Sequence, residues 1–162
     1  MKKSTVRLRR PRAGDFGRVV ALHGELYARE FAYDNRFEAL VAEIVAGFVR
    51  DFRPKLERCW IAEMDGEVVG SVFLVRKSRS VAKLRLLVVD PSARGQGLGR
   101  RLTRACIRFA RDKGYRKIEL WTQSHLAAAR AIYQAEGFRK VSEEKHRSFG
   151  KRLVAEIWEL GL

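Results

Sequence analysis

The 162-residue sequence has little of several residue types, and each shortage excludes a class of protein. It contains only two cysteines, Cys59 and Cys106, and their apolar surroundings indicate buried thiols rather than a disulfide framework. It has three histidines and no cluster of metal-ligand type, so we expect no metal. No apolar run is long enough to span a membrane, and the basic N-terminus is not followed by the apolar segment of a secretory signal. We therefore expect a cytoplasmic protein.

Negative charge is also scarce, and the formal net charge is +15. A strongly basic chain attracts polyanions such as nucleic acid or phosphorylated cofactors. Arginines crowd the N-terminus and the residues after Gly99, whereas acidic residues collect between Glu25 and Glu43. A solvated basic face explains the charge at least as well as a nucleic-acid surface does, so both interpretations stay open.

The stretch from residue 84 to residue 110 is the one around which the chain is organised. Residues 84–89 are apolar and β-branched, which predicts a buried strand, and Pro91 ends it. Three glycines follow at positions 95, 97 and 99, and apolar residues then recur at helical spacing until Gly114. Unpaired N–H groups at such a turn, together with the helix dipole, form a site for phosphate oxygens. The turn is equally consistent with a plain strand-to-helix connection.

The other elements follow from apolar periodicity and turn residues. Asp65-Gly66 predicts a hairpin between two strands, over residues 59–62 and 68–75. The remaining predictions are a strand before Pro11, a helical region from Gly14, a helix over about 37–52, a strand over 117–121, a helix over 126–135 and strands from 138 and over 153–160. The order β-α-α-β-β-β-α-β-α-β-β predicts one α/β domain over residues 1–162, with a mixed sheet flanked by helices.

Two motifs carry a family resemblance. Arg94-Gly-Gln-Gly97-Leu-Gly99 matches the pattern R-x-x-G-x-G, and residues 129–138 match A-x-x-x-Y-x-x-x-G-F, in which the tyrosine is Tyr133. In this order and on these elements, the motifs resemble the GNAT acetyltransferase superfamily over nearly the whole chain. The resemblance implies a single GNAT-type domain whose two parallel strands splay apart to admit acetyl-CoA.

The resemblance also implies a set of site residues. The CoA pyrophosphate is expected on the glycine turn, the pantetheine arm on the central strand, and Tyr133 as the general acid that protonates the departing thiolate. A core tyrosine with a satisfied hydroxyl is the alternative. Many members carry an asparagine where this chain has Leu126. Ser124 or Gln123 is the candidate to replace that asparagine in binding. The implied cofactor-binding residues are Leu87, Val88, Val89, Arg94, Gly95, Gln96, Gly97, Leu98, Gly99, Arg100, Ser124 and Tyr133.

The general base is the main departure from the family. Many members have a glutamate on the central strand, where this chain has Lys83 and Arg85. An alkylammonium with a pKa of about 10.4 must lose a proton before it attacks. The candidates are Glu119, Glu63 and Glu30, an ordered water, or the amine's own equilibrium, and each carboxylate is otherwise a surface group. We expect Glu30 and Tyr33 near the acceptor, and acidic residues on the roofing helices favour a cationic amine.

A closer resemblance lies in segments such as His146-Arg-Ser-Phe-Gly150, which are similar to the acetyltransferase half of MarR-type regulator fusions. It implies Phe149 near the substrate, with His146 either there or packing in a loop, and no DNA-reading module. The predicted activity is acetyl transfer from acetyl-CoA to a primary amine in a ternary complex, by a monomer or homodimer without a membrane partner. The alternative is a basic binding or regulatory protein that uses an acyl-CoA-binding fold to contact nucleic acid or a protein.

Overall fold

The computed structural model describes residues 4–162 and has the predicted order of elements. None of the helices in that range is long and apolar enough to cross a membrane. The elements are β1 (Arg7–Arg9), α1 (Asp15–Phe31), α2 (Asn35–Arg50), β2 (Arg58–Met64), β3 (Glu67–Arg76), β4 (Val81–Val89), α3 (Leu98–Asp112), β5 (Lys117–Gln123), α4 (Ala127–Ala135), β6 (Arg139–Ser148) and β7 (Lys151–Gly161). One short 3-10 turn, Pro91–Ala93, links β4 to the glycine turn.

Several elements differ in extent from their predictions, and in two of them the difference has a clear local cause. Helix α2 begins at Asn35 because the Asp34 carboxylate accepts a hydrogen bond from the Arg36 N–H at 3.0 Å, which satisfies a free donor of the first turn. Strand β6 continues to Ser148 although its side chains are mostly exposed. It lies at the edge of the sheet, so alternation of apolar residues does not mark its length.

The seven strands form one mixed sheet in the order β1-β2-β3-β4-β5-β7-β6, in which β4 and β5 are the parallel neighbours. Helices α3 and α4 cover one face, where Leu102 and Cys106 pack against Ile118 and Leu120. Helices α1 and α2 cover the other face. Cys59 and Cys106 are both buried free thiols, as expected. The predicted α/β fold is confirmed.

The parallel strands separate part-way along their length. They pair from Val81 with Lys117 to Leu84 with Leu120, and no pairing follows. At that point β4 has a bulge: Leu86 has a φ of 52°, and the β3 register shifts between Ser71 and Phe73. The Ser71 hydroxyl donates to the Leu86 carbonyl at 3.2 Å. The bulge turns the end of β4 away from β5 and opens the expected gap.

Candidate active site

The glycine turn presents a row of free donors. Within residues 4–162, none of the backbone N–H groups of residues 95–100 donates to another protein group, and the first capped donor of α3 is the N–H of Arg101, which bonds to the Gly97 carbonyl at 3.0 Å. Gly97 has a φ of 71°, in the left-handed region that favours glycine. The donors and the N-terminus of α3 together form a site for a phosphate or pyrophosphate.

A cleft of about 600 Å³ runs from this turn along the end of β4 to the start of α4. Arg94 lies at its mouth, where its Nη1 is 2.7 Å from Oε1 of Glu30. The cleft is lined by Leu26, Tyr27, Glu30, Phe31, Leu87, Val88, Val89, Ala93, Arg94, Gly95, Gly97, Leu98, Gly99, Arg100, His125, Leu126, Ala127, Ala128, Ala129 and Ile132. Most of the residues predicted to bind the cofactor are therefore brought together here.

Three of the predicted cofactor-binding residues do not line this cleft. Gln96 lies in the turn, Ser124 lies just after β5, where its N–H donates to the Val154 carbonyl at 2.8 Å, and Tyr133 lines a neighbouring cleft instead. His125 and Leu126 line the cleft instead. The sequence feature that could have indicated these two residues is their position directly after the end of β5.

Main-chain groups at the end of β4 face the gap. The Asp90 N–H donates to the Val69 carbonyl at 2.7 Å, and Val88 pairs with Ser71, so the polar groups of Asp90 and Val88 point towards β3. Because successive residues of a strand point their N–H and C=O groups to opposite edges, those of Val89 point into the gap. The N–H of Val89, rather than that of Val88, is therefore the main-chain donor that faces the gap.

A second cleft of about 330 Å³ lies between the sheet and helices α1 and α2. It shares Tyr27, Leu87, Leu126 and Ala129 with the first cleft, so the two meet there. Its other lining residues are His23, Tyr33, Phe37, Leu40, Val41, Ile44, Lys83, Leu84, Arg85, Leu86, Trp121, Thr122, Gln123, Tyr133 and Phe149. The arrangement can hold two molecules end to end.

Tyr133 lies on α4, one turn beyond the shared residue Ala129, and its side chain is 5% exposed. Burial raises the pKa of Tyr133 above its ordinary value, and among residues 4–162 its hydroxyl has no hydrogen-bond partner. A neutral phenol with a free O–H is the state that a general acid needs. The role of Tyr133 as the acid stays a prediction, because a core tyrosine whose hydroxyl opens onto the cleft would show the same contacts.

The candidate bases lie away from this junction. Glu119 accepts two hydrogen bonds from Lys77 Nζ, at 2.6 and 2.7 Å, and does not line either cleft. Glu63 is bonded to Arg7 and Arg9 at the β1 side of the sheet. Glu30 lines the first cleft, where it pairs with Arg94. The role of Glu119 as a base stays a prediction without a supporting contact.

The residues predicted for the acceptor have different placements. Tyr33 lines the second cleft, burial raises its pKa, and its hydroxyl forms a hydrogen bond with His125 Nε2 at 2.6 Å. Glu30 does not line that cleft, and neither does any other aspartate or glutamate of the described chain. The predicted role of Glu30 at the acceptor therefore stays a prediction without a supporting contact, since Glu30 bonds to Arg94 instead.

Several residues of the second cleft carry no sequence motif. His23 lies on the apolar stripe of α1, where its Nδ1–H donates to the Val19 carbonyl at 2.8 Å, and burial lowers the pKa of His23 to about 4. Phe149 lies in the β6–β7 turn with a φ of 57°, and its carbonyl accepts from the Asp34 N–H at 3.1 Å. This contact joins the turn to the α1–α2 connection, and Phe149 forms part of one wall of the cleft.

The basic face of α3 is partly neutralised. The Nε atoms of Arg100 and Arg104 lie 2.7 and 2.9 Å from the same Glu136 oxygen, and Arg101 donates to the Val6 carbonyl at 3.1 Å. The interpretation of this face as a nucleic-acid surface gains no specific support from these contacts.

Comparison with known proteins agrees with this geometry. The model of the acetyltransferase (GNAT) family matches residues 22–138, which include the glycine turn and Tyr133. The chain belongs to the GNAT family. It is 34% identical over 101 residues to a mycothiol acetyltransferase of Beutenbergia cavernae, a match that covers 61% of this chain and 33% of that protein. The chain thus spans about a third of the length of this curated relative.

Solved structures of the same fold cover almost the whole chain. The ribosomal-protein-alanine N-acetyltransferase of Brucella melitensis is similar with a TM-score of 0.77 and 22% identity, over 96% of this chain and 99% of that one. The Salmonella typhimurium protein yncA, solved with its cofactor acetyl-CoA, is similar with a TM-score of 0.75 and 20% identity, over 97% of this chain and 94% of that one. At these identities the likeness concerns the GNAT fold.

Proposed function

We propose that this protein transfers an acetyl group from acetyl-CoA to a primary amine. One observation carries the proposal: the six consecutive free N–H groups at 95–100 and the free phenol of Tyr133 lie along two clefts that meet. The free donors suit the pyrophosphate of CoA, the edge of β4 suits its pantetheine arm, and the second cleft suits the acceptor.

The residues support direct transfer. The neutral amine nitrogen attacks the thioester carbonyl, the oxygen gains negative charge, and the Val89 N–H stabilises it. The C–S bond then breaks, and the sulfur takes the phenolic proton of Tyr133 as the amide forms. The proton lost by the amine passes to water, and the tyrosinate regains a proton from water. No metal takes part in this scheme.

We also propose that residues 1–162 act as one catalytic domain, similar to the acetyltransferase half of MarR-type fusions. The support is the position of Phe149, which lies in a segment that carries the closer resemblance and lines the second cleft. The proposal would be wrong if a shorter chain without the β6–β7 hairpin kept full activity.

Thermal unfolding with and without acetyl-CoA tests the cofactor. A ligand at a hundred times its dissociation constant stabilises the folded state by about 2.7 kcal/mol, so we expect a clear rise in Tm. Arg94→Glu should abolish the rise because it places a carboxylate beside the phosphate site. The matched control is Arg108→Glu, which changes the charge equally at an exposed position of α3. No rise in the folded wild-type protein would overturn the proposal.

Tyr133→Phe tests the acid. We expect the rate of thiol release at saturating substrates to fall by about 100-fold or more, with CoA affinity nearly unchanged, because only the proton donor is lost. Tyr27→Phe is the control, since Tyr27 lies at the same junction of the clefts. Equal losses of rate in the two variants would remove Tyr133 from the role.

A further inference from the structure

We propose that the acceptor amine also carries a carboxylate, which Lys83 and Arg85 bind in the second cleft. This inference rests on the acetyl transfer proposed above and specifies its acceptor class. It replaces the cationic acceptor that the sequence suggested, because the charges in the cleft have the opposite sign.

The charge of the second cleft comes from β4. Among its lining residues, Lys83 and Arg85 are the ionised side chains, and no aspartate or glutamate of residues 4–162 lines it. Both are half-buried, and neither has an ion pair or a side-chain hydrogen bond within the described chain. Both lie on β4 just before the bulge at Leu86.

The neighbouring carboxylates do not neutralise these cations. Glu119 lies opposite Lys83 in the β4–β5 register, but both of its oxygens accept from Lys77. Glu43, Asp51 and Glu57 line an adjoining groove with Arg85, and none of them forms an ion pair with it within the described chain. Burial lowers the pKa of Lys83 and the nearby Arg85 charge lowers it further, while the charge of Glu119 partly offsets both effects. Two partly desolvated like charges without a counter-ion favour the binding of an anion.

A second, independent observation concerns two polar atoms. Within residues 4–162, the buried side-chain polar atoms without a hydrogen-bond partner are His23 Nε2 and Gln123 Nε2, and both residues line this cleft. The Gln123 carbonyl oxygen accepts from His146 Nε2 at 2.9 Å, which leaves the Gln123 amide as a free donor. The Nδ1–H of His23 is used by Val19, which leaves Nε2 as a free acceptor.

These two atoms complement an amino acid. A carboxylate oxygen can accept from the Gln123 amide while the cations hold its charge, and an amine N–H can donate to His23 Nε2. The rest of the wall is apolar or aromatic, with Phe37, Leu40 and Phe149 among its members. The cleft of about 330 Å³ therefore suits a small amine that bears a carboxylate and an apolar side chain.

Paired acceptors test the charge directly. Thiol release from acetyl-CoA is measured with apolar amino acids such as phenylalanine and leucine, with their amides, and with 2-phenylethylamine. We expect kcat/KM for the best acid to exceed that of its amide by about tenfold or more, since hydrogen bonds to charged groups are the stronger ones. The amine of the amide loses its proton more readily than that of the acid, which by itself would make the amide the faster acceptor. A preference for the acid would therefore be seen in spite of this difference in amine reactivity.

Variants of the two cations give the matched comparison. Lys83→Gln and Arg85→Gln should each lower kcat/KM for the acid about tenfold or more and leave the amide nearly unchanged. Arg85→Glu should reverse the preference. Lys145→Gln, at an exposed position of β6, should change neither. Acetyl-CoA binding, followed by the rise in Tm, should persist in every variant.

Three results would overturn the proposal: an equal or better rate for the amides, no thiol release with any of the acids, or equal losses for acid and amide in the Lys83 and Arg85 variants. In each case a persistent rise in Tm with acetyl-CoA, together with acetylation of amines that lack a carboxylate, would leave the acetyltransferase function standing. Failure of acetyl-CoA to bind would instead overturn the function on which the inference rests.

Discussion

Arg94 Nη1 lies 2.7 Å from Glu30 Oε1, so the arginine of the R-x-x-G-x-G motif is paired with a carboxylate from α1. Both residues line the mouth of the first cleft. A pyrophosphate that binds the free N–H groups of the turn therefore meets Arg94 and Glu30 together. It competes with Glu30 for the guanidinium and is repelled by the carboxylate.

Removal of that carboxylate should tighten CoA binding. We expect Glu30→Gln to lower the Kd of CoA by about three- to fivefold at low ionic strength, a typical value for a partly exposed pair. The gain should shrink at high salt because screening weakens both the pair and the repulsion. Titration calorimetry at two salt concentrations measures it.

The control for this prediction is Glu25→Gln, which removes the same charge from an exposed position of α1 outside both clefts. It should change the Kd little. Weaker CoA binding in Glu30→Gln would show that Glu30 orients Arg94 for the phosphate rather than competing with it.

The two halves of the site differ in how far the sequence predicts them. The proposed CoA half is local: the donors of residues 95–100 and Tyr133, the proposed acid, lie in two continuous motifs, and the end of β4 adjoins the first of them. The proposed acceptor half joins residues that are far apart in the chain and have no shared period, namely His23, Lys83, Gln123 and Phe149.

The sign of the charge in the second cleft does not follow from the sequence, for a related reason. Acidic residues on α1 and α2 were visible, but which of them face the cleft depends on partners elsewhere. Glu30 bonds to Arg94 of the glycine turn, and Asp34 bonds to Arg36 and accepts from its N–H. From the sequence, Lys83 and Arg85 stand out only as a departure from the family pattern. Lys83 lacks an ion pair because Glu119, opposite it on β5, accepts from Lys77 instead, and this contact joins residues far apart in the chain.

Gly70 is expected to be intolerant of a side chain. It lies opposite Val89, where β3 and β4 pass closely, and a Cβ at this position would be 2.8 Å from the Val88 carbonyl oxygen. We expect Gly70→Ala to lower the free energy of unfolding by about 1–3 kcal/mol, because backbone must move to admit the methyl group. Chemical denaturation measures the change.

Substitution of a second glycine is expected to change the free energy of unfolding in the opposite direction. Gly47 lies in the last turn of α2, where a Cβ would be 3.6 Å from its nearest neighbour, Arg50 Nη2. Gly47→Ala should therefore stabilise the protein by about 0.5–1 kcal/mol through helix propensity. If Gly70→Ala proved as stable as Gly47→Ala, the close approach of β3 and β4 would be wrong.

Arg9 should be the most sensitive charge at the β1 side of the sheet. Its guanidinium lies 2.6 Å from Asp15 Oδ2, and Asp15 is 2% exposed. Arg9→Gln leaves that carboxylate buried without its cation, so we expect a loss on the order of 3 kcal/mol at pH 7. The control Arg7→Gln breaks an exposed pair with Glu63 and should cost less than about 1 kcal/mol.

The effect of Arg9→Gln should also depend on pH. The hydrogen bond from Arg9 lowers the pKa of Asp15 below 3.8 in the folded protein. A lowered folded-state pKa contributes stability above the unfolded pKa, and this contribution is lost as the pH falls through the folded value. The difference between wild type and variant should therefore be full at pH 7 and shrink below about pH 4. A difference that is constant with pH would show that the loss comes from packing.

The pH dependence of the reaction should report the acceptor rather than Tyr133. Burial raises the pKa of Tyr133 above its ordinary value of 10.0, so the phenol keeps its proton up to pH 10 and gives no falling limb below it. The rising limb comes from loss of the ammonium proton, with about a tenfold gain in kcat/KM per pH unit below the pKa of the amine. Acceptors whose amines differ in pKa show whether the rising limb comes from the amine or from a protein group. We expect the midpoint of the limb to follow the pKa of the amine, both in the wild type and in Tyr133→Phe. A limb that stays at one pH for every acceptor would show that a protein group, and not the amine's own equilibrium, sets the supply of the nucleophile.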